Sequence, residues 1–285
     1  MNRNLLLVAG SGTYPERLAE GARRAGVEKI VMVAIKGMTS RTTARLADTV
    51  RWFGIGEVRS IFAWAAEQGC DDGVMAGQIT PVALFRTRFD DLSRRWLGEL
   101  RVKNAHTIFG KIALEMEKIG LHVIPASCYM DDCMPGVGVL TARAPDARED
   151  ADIAFGYDVA TRICGLDIGQ TLMVKDGMIL AVEAFEGTNK AIRRGGKLGG
   201  RGGVVVKVAK DGHDMRFDIP VVGVKTIQTL HKAGATCLAF QAGRLVMLDK
   251  PEVIRLADRW GIALVGLEND LPSAPLRPDN PLHNA

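Results

Sequence analysis

Asp218 stands between Phe217 and Ile219 in an apolar run and is followed by Pro220, which offers no backbone donor. A carboxylate in that setting needs a cation or hydrogen-bond donors, since an unpaired buried charge is very costly. A hard metal would satisfy it, and Mg²⁺ prefers one or two carboxylates plus substrate phosphate oxygens. A salt bridge to Arg216, Lys225 or Arg244 would satisfy it equally. Two further polar clusters interrupt apolar stretches, LDIGQ at 166–170 and EAFEGTN at 183–189. They supply Asp167 and Glu186 as acids that could join Asp218 around a metal, and Gln170, Thr188 and Asn189 as neutral contacts to a substrate. Taken singly, Asp167 reads as a helix-end acid and Glu186-Gly187-Thr188 as a polar turn before a helix. Thr226, in VGVKTI just beyond Asp218, is a further candidate contact.

A second group lies near the N-terminus. The turn AGSGTYP at 9–15 follows an apolar run and opens a helix pattern, so backbone NH groups beside the positive end of the helix dipole could receive an anion. Gly10, Ser11, Gly12 and Tyr14 are the candidate contacts there, joined by Gly77 and Gln78 from the AGQI segment at 76–79. A tight strand-to-helix connection explains the same glycines without any ligand. The dinucleotide fingerprint is absent, because Tyr14 and Pro15 follow Gly12 where a third glycine would be needed and Lys36 ends the next strand where an acid would hold the ribose. No GxxxxGK[ST] occurs either. The basic, glycine-rich stretch RRGGKLGGRGGVVVKVAK at 193–210 reads as a loop whose backbone and cations suit a diphosphate, or as a flexible solvated loop.

The elements that must hold these residues follow from periodicity. Apolar runs at 5–9 and 30–35 alternate with helix patterns at about 15–26 and 58–68, and 74–76 and 123–124 are further strand candidates. That alternation implies a parallel sheet with crossover helices. From about 131 to 150 the sequence turns rich in Gly, Pro and alternating charge, and the domain boundary is expected there. The second half opens with a helix carrying Ile153, Tyr157, Ala160 and Ile163. Asp176-Gly177 then sits between two apolar runs, the pair that favours a type I′ hairpin. Four more strand candidates (VVVKVA, TCLAF, RLVML, IALVGL) are separated by helix patterns near 224–232 and 252–260. The expected fold is α/β: a Rossmann-like parallel-sheet domain over 1–135, a linker over 136–150, a mixed α+β domain with the candidate catalytic residues over 151–270, and a Pro-rich mobile tail over 271–285.

The 285 residues, 47% hydrophobic, can fill two ordinary cores. Five widely spaced cysteines without a CxxC pair point to reduced thiols in the cytoplasm rather than to a zinc site. The opening apolar run is too short for a signal peptide core or a membrane span. A net charge of +4 spread among acids makes nucleic acid an unexpected partner, while leaving weak attraction to an anionic membrane face.

Across nearly its whole length the sequence resembles the LpxI-type UDP-2,3-diacylglucosamine pyrophosphatases of Gram-negative lipid A biosynthesis. The resemblance is carried by LLLVAGSGTYP, GIGEV at 54–58, AGQI, LDIGQ with VEAFEGTN, KVAKDGHDMRFDIPVVGVKTI, and QAGRLVMLD with ALVGL. It implies a bacterial two-domain hydrolase with its lipid substrate between the domains. Water would attack the sugar-side phosphorus with a divalent cation, Mg²⁺ first among them, and release UMP and 2,3-diacylglucosamine 1-phosphate. The family's essential aspartate falls on Asp218. The implied partners are the UDP-linked diacyl sugar and, peripherally, the inner-membrane surface, and a homodimer is compatible. Asn189, Gln241 and the segment 103–109 depart from acids common in the family. They motivate a second hypothesis, a nucleotide-sugar or lipid binding protein without turnover, and a third is a transferase using the same phosphate contacts.

Overall fold

A computed structural model describes residues 4–79, 87–101, 105–210, 216 and 219–269. Asp218 and Phe217, and the Pro-rich stretch beyond 270, lie outside the described residues. The chain divides into two compact units, residues 1–131 with 214–219, and residues 132–213 with 220–285.

Unit 1 runs β1 (Asn4–Ala9), α1 (Tyr14–Arg24), β2 (Lys29–Ile35), α2 (Arg41–Ala44), β3 (Thr49–Phe53), α3 (Val58–Glu67), β4 (Asp72–Ala76), α4 (Asp91–Glu99), α5 (Ala105–Lys118) and β5 (His122–Val123). Among the described residues five strands form one parallel sheet in the order β3-β2-β1-β4-β5. Both faces are covered, which explains why the strands read as continuous apolar runs. Leu6, Val31, Val33 and Met75 pack with Trp64, Ala113 and Met116 on one side, and α1 lies against β1 and β4. Pro15 in the first turn and Glu16 near the positive end favour α1 where it starts.

Unit 2 continues with β6 (Gly138–Val139), α6 (Ala147–Gly165), β7 (Thr171–Lys175), β8 (Met178–Val182), α7 (Thr188–Gly199), β9 (Gly203–Lys207), β10 (Val221–Val222), α8 (Val224–Ala233), β11 (Ala235–Gln241), β12 (Val246–Met247), α9 (Lys250–Arg259) and β13 (Ala263–Leu267). The main sheet is mixed, in the order β6-β13-β11-β9-β7-β8, with β9, β11 and β13 parallel and β6, β7 and β8 antiparallel to their neighbours. Alternation along each strand divides the core. Val205, Leu238 and Phe240 pack with Ile192, Ile227 and Leu256 on one face. Val204, Val206, Cys237 and Ala239 pack with Ile153, Tyr157 and Ala160 on the other.

The Asp176-Gly177 turn joins β7 and β8 with φ of +51° and +72°, as a type I′ turn requires. Buried Asp152 holds it, accepting from the backbone NH groups of Asp176 at 2.9 Å and Gly177 at 2.7 Å.

The stretch read as a linker, 136–150, contains β6 and the opening of α6. Asp146 and Glu149 form a reciprocal capping box there. Arg143 forks onto buried Glu149 at 2.7 and 3.0 Å, and the Thr236 hydroxyl donates to the same carboxylate at 2.6 Å.

The glycine-rich stretch 193–210 is not a loop. It is the body of α7 followed by β9, and its glycines are there for close packing. A Cβ on Gly196 would come within 2.3 Å of the Ala233 carbonyl oxygen, and one on Gly195 or Gly203 would strike Met173. The glycines therefore let α7 lie tight against α8 and β7, contacts whose value outweighs the poor helix propensity of the sequence. None of the five cysteines forms a disulfide. Among the described residues no helix is long and apolar enough to cross a membrane.

Candidate functional site

In unit 1 the chain runs from β1 outward to β2 and β3, then crosses back to β4 and β5 on the other side. The crevice at such a reversal, outside the carboxyl ends of the strands, is where open parallel sheets bind ligands. Gly10, Ser11, Gly12, Gly77 and Gln78 all fall there, after β1 and after β4. Their geometry is first of all mutual. Ser11 and Gln78 exchange backbone hydrogen bonds at 3.0 and 2.9 Å, the Ser11 hydroxyl donates to the Gln78 carbonyl at 2.8 Å, and Gly10 NH donates to Ala76 at 2.7 Å. A Cβ on Gly10 would meet the Gln78 carbonyl at 2.9 Å, and Gly77 has φ +95°. These two glycines are thus needed for the two loops to touch. Gly12 differs, with φ +90° and open space where a Cβ would point, at the start of α1. Tyr14 is buried, and its hydroxyl donates to the Ala126 carbonyl at 2.8 Å. An apolar cavity of about 120 Å³ adjoins this point, lined by Gly10, Gly77, Val58, Phe62, Ile79 and Ile112 among others.

In unit 2 the motifs at 166–170 and 183–189 meet at one end of the main sheet. Gly169 makes this approach achievable, since a Cβ there would sit 2.0 Å from the Glu183 carbonyl oxygen. Thr171 opens β7 directly opposite Lys207, the last residue of β9. Lys207 is only 4% exposed. Its ammonium donates to Thr171 Oγ1 at 3.0 Å and Thr188 Oγ1 at 3.1 Å, with Glu183 Oε2 at 3.9 Å. The Thr188 hydroxyl in turn donates to Glu183 Oε1 at 2.8 Å. Two acceptors in this region, Glu183 Oε2 and Asn189 Oδ1, are buried without a hydrogen bond. Buried acceptors are ordinarily completed by a donor or a cation; Glu183 Oε2 has the Lys207 cation nearby, and Asn189 Oδ1 has no donor among the described residues. The cluster stands at the start of α7, whose Gly187 N-cap offers no side-chain acceptor to the first-turn NH groups.

The candidate metal ligands are placed otherwise. Asp167, with φ +57°, pairs with Lys210 at 2.7 Å. Glu186 pairs with Arg194 at 2.6 Å, and the Arg194 hydrogen bond holds its carboxyl below the usual range. Among the described residues no three His, Cys, Asp or Glu side chains gather as a metal centre would need. Each of these two acids is already neutralised by a cation, so the described part of the expected ligand set does not fit a divalent metal. Gln170 lies at the cluster, its carbonyl accepting from Val208 at 2.9 Å. Thr226 is buried in the first turn of α8, where its NH donates to Gly223 at 2.8 Å.

Comparison with known proteins places this architecture. The LpxI N-terminal domain matches residues 4–133 and the LpxI C-terminal domain matches residues 136–265. This chain belongs to the LpxI family. Within the family, the UDP-2,3-diacylglucosamine pyrophosphatase LpxI of Caulobacter vibrioides is 33% identical over 279 residues, 93% of this chain and 98% of that protein. Solved structures are only loosely alike. The biotin carboxylase domain of Hydrogenobacter thermophilus 2-oxoglutarate carboxylase has a TM-score of 0.28 at 14% identity, covering 62% of this chain and 36% of its own. Campylobacter jejuni biotin carboxylase has a TM-score of 0.28 at 12% identity, covering 69% of this chain and 42% of its own. Likeness at that level carries no argument.

Sequence reasoning took Lys207 only as one cation of the basic 193–210 stretch and Glu183 only as the start of a polar cluster, and it missed Thr171. The available signal was a lone lysine inside VVVKVA, a charge on an otherwise apolar strand. Gln241, one of the departures from the LpxI pattern, is only 2% exposed. Its Oε1 accepts from Ala209 NH at 2.6 Å and its Nε2 donates to the Tyr157 hydroxyl at 3.0 Å, using both ends of a neutral amide.

Proposed function

We propose that this chain hydrolyses the pyrophosphate bond of UDP-2,3-diacylglucosamine to UMP and 2,3-diacylglucosamine 1-phosphate, a step of lipid A biosynthesis. The carrying observation is that both LpxI domains match and that the similarity to the Caulobacter pyrophosphatase runs the length of both proteins. A water oxygen bonds to the sugar-side phosphorus, the bond from that phosphorus to the bridging oxygen breaks, and UMP departs. Asp218 orients this water and takes its proton. The Lys207 ammonium, fixed by two threonine hydroxyls, favours the negative charge that grows as the bridge breaks. Gln170, Thr188 and Asn189 hold polar groups of the substrate. Thr226 is a further contact.

Divalent-cation dependence, Mg²⁺ first, belongs to this proposal through Asp218 and the substrate's own diphosphate oxygens; Asp167 and Glu186 leave it. The reading also places the protein in the cytoplasm, meeting the inner membrane only at its surface.

Product analysis in ¹⁸O-water tests the whole scheme. The label should enter the lipid phosphate and not UMP, and a chelator should stop the reaction. Asp218→Asn, with an unchanged circular dichroism spectrum, should lose it as well. Substrate binding without products, or products only when an acceptor alcohol is added, would replace hydrolysis by binding or transfer.

A further inference from the structure

The edge of the unit 1 sheet carries a shallow, open depression of about 630 Å³, lined by Lys36, Arg41, Arg45, Val50 and Trp52. Strand β3 is the outermost strand of that sheet. Arg41 and Arg45, one helical turn apart at α2, are both exposed, and neither has an ion pair among the described residues. Lys36 reaches only Glu57, at 3.7 Å with both side chains at least half exposed. Trp52 is 37% exposed, and Arg51 beside it is exposed too. No carboxylate lines the depression among the described residues.

Two arginines without an ion pair among the described residues, and a loosely paired Lys36, around an exposed indole have a specific complement. Guanidinium groups fork onto phosphate oxygens, and an indole has an apolar body and one polar NH, the combination that settles at a bilayer surface. The depression is open rather than enclosing, which suits a plane of headgroups better than a single nucleotide. We propose that this face of unit 1 docks the protein on anionic phospholipid headgroups, with Arg41, Arg45 and Lys36 on lipid phosphates and Trp52 at the level of the glycerol backbone. Its usefulness rests on the function proposed above, since that substrate and product carry acyl chains. The contact itself is independent of turnover.

Sedimentation with vesicles of phosphatidylcholine containing about 30% phosphatidylglycerol tests it, with pure phosphatidylcholine as reference. The wild type should partition to the anionic vesicles roughly tenfold better than to neutral ones, and less so as salt is raised. R41E/R45E should lose that preference, and W52A should lose a blue shift in tryptophan emission seen on binding. Both variants should hydrolyse detergent-dispersed substrate as the wild type does. Equal binding of the wild type to neutral vesicles overturns the proposal, as does full retention of anionic binding in R41E/R45E. So does displacement of the protein by millimolar inorganic phosphate, which would mark a site for a soluble anion. Vesicle binding without any hydrolysis by the wild type would instead remove the function and leave this surface standing.

Discussion

Lys207 is the residue whose loss should be felt most. Its ammonium is buried with Thr171, Thr188 and Glu183, so Lys207→Met strands the Glu183 carboxylate in a poorly solvated place. Removing one member of a buried pair costs about 3 kcal/mol, whereas removing both can be nearly neutral. Urea denaturation should therefore show Lys207→Met strongly destabilised and Lys207→Met with Glu183→Gln largely recovered, while hydrolysis fails in both. A double variant no more stable than the single one would mean that the two charges are not coupled. Glu149 gives a prediction with a pH axis. Burial pushes its carboxyl up, but the Arg143 guanidinium, the Thr236 hydroxyl and the Asp146 NH outweigh burial and hold it below the usual glutamate range. The unfolded chain then binds the proton more readily than the folded one, so the stabilisation is complete above the ordinary value of about 4.3 and is lost as pH falls through the depressed folded value. The stability gap between wild type and Glu149→Gln should be widest near neutrality and close on acidification. A gap that widens in acid would reverse the sign of the argument.

Helix α7 shows where the sequence was legible and where it was not. The strands of unit 1 and the hairpin of unit 2 could be read because their signals are local: apolar runs between turns, and an Asp-Gly pair suited to positive φ. The run from Arg193 to Gly200 could not be read, because its glycines answer to partners distant in sequence, Met173, Leu180 and Ala233. Local propensity pointed to a loop and tertiary packing made a helix. The same holds for the polar cluster, since Gln170, Thr188 and Asn189 were visible within motifs while Lys207 gains its meaning only from the Thr171 register opposite it. The packing account is testable. Alanine is the better helix former by up to about 1 kcal/mol, so propensity alone predicts that Gly196→Ala stabilises. The 2.3 Å approach to the Ala233 carbonyl predicts the opposite, a loss of about 1–3 kcal/mol, because backbone must move to admit the methyl. Gly165→Ala, in open space at the end of α6, is the matched control and should be neutral or slightly stabilising in the same thermal melts.

At the scale of the whole molecule, the division of the chain is not a division of the sequence into two runs. Residues 214–219 group with unit 1 although unit 2 flanks them on both sides. Two described members of that short segment are tied in: Ile219 is only 9% exposed, and Arg216 pairs with Glu117 of α5 at 2.7 Å. A segment late in the sequence therefore groups with the early unit, and Asp218 is flanked by positions that belong to unit 1. Truncating Ile219 to alanine removes buried apolar surface from that unit and should cost it about 2 kcal/mol. Local stability is measurable strand by strand through amide hydrogen exchange. In Ile219→Ala, protection should fall in β1, β2 and β4 while β9 and β11 exchange as in the wild type. Loss of protection confined to β9 and β11 would assign the segment to unit 2. It would also break the link between the segment holding Asp218 and the N-terminal sheet.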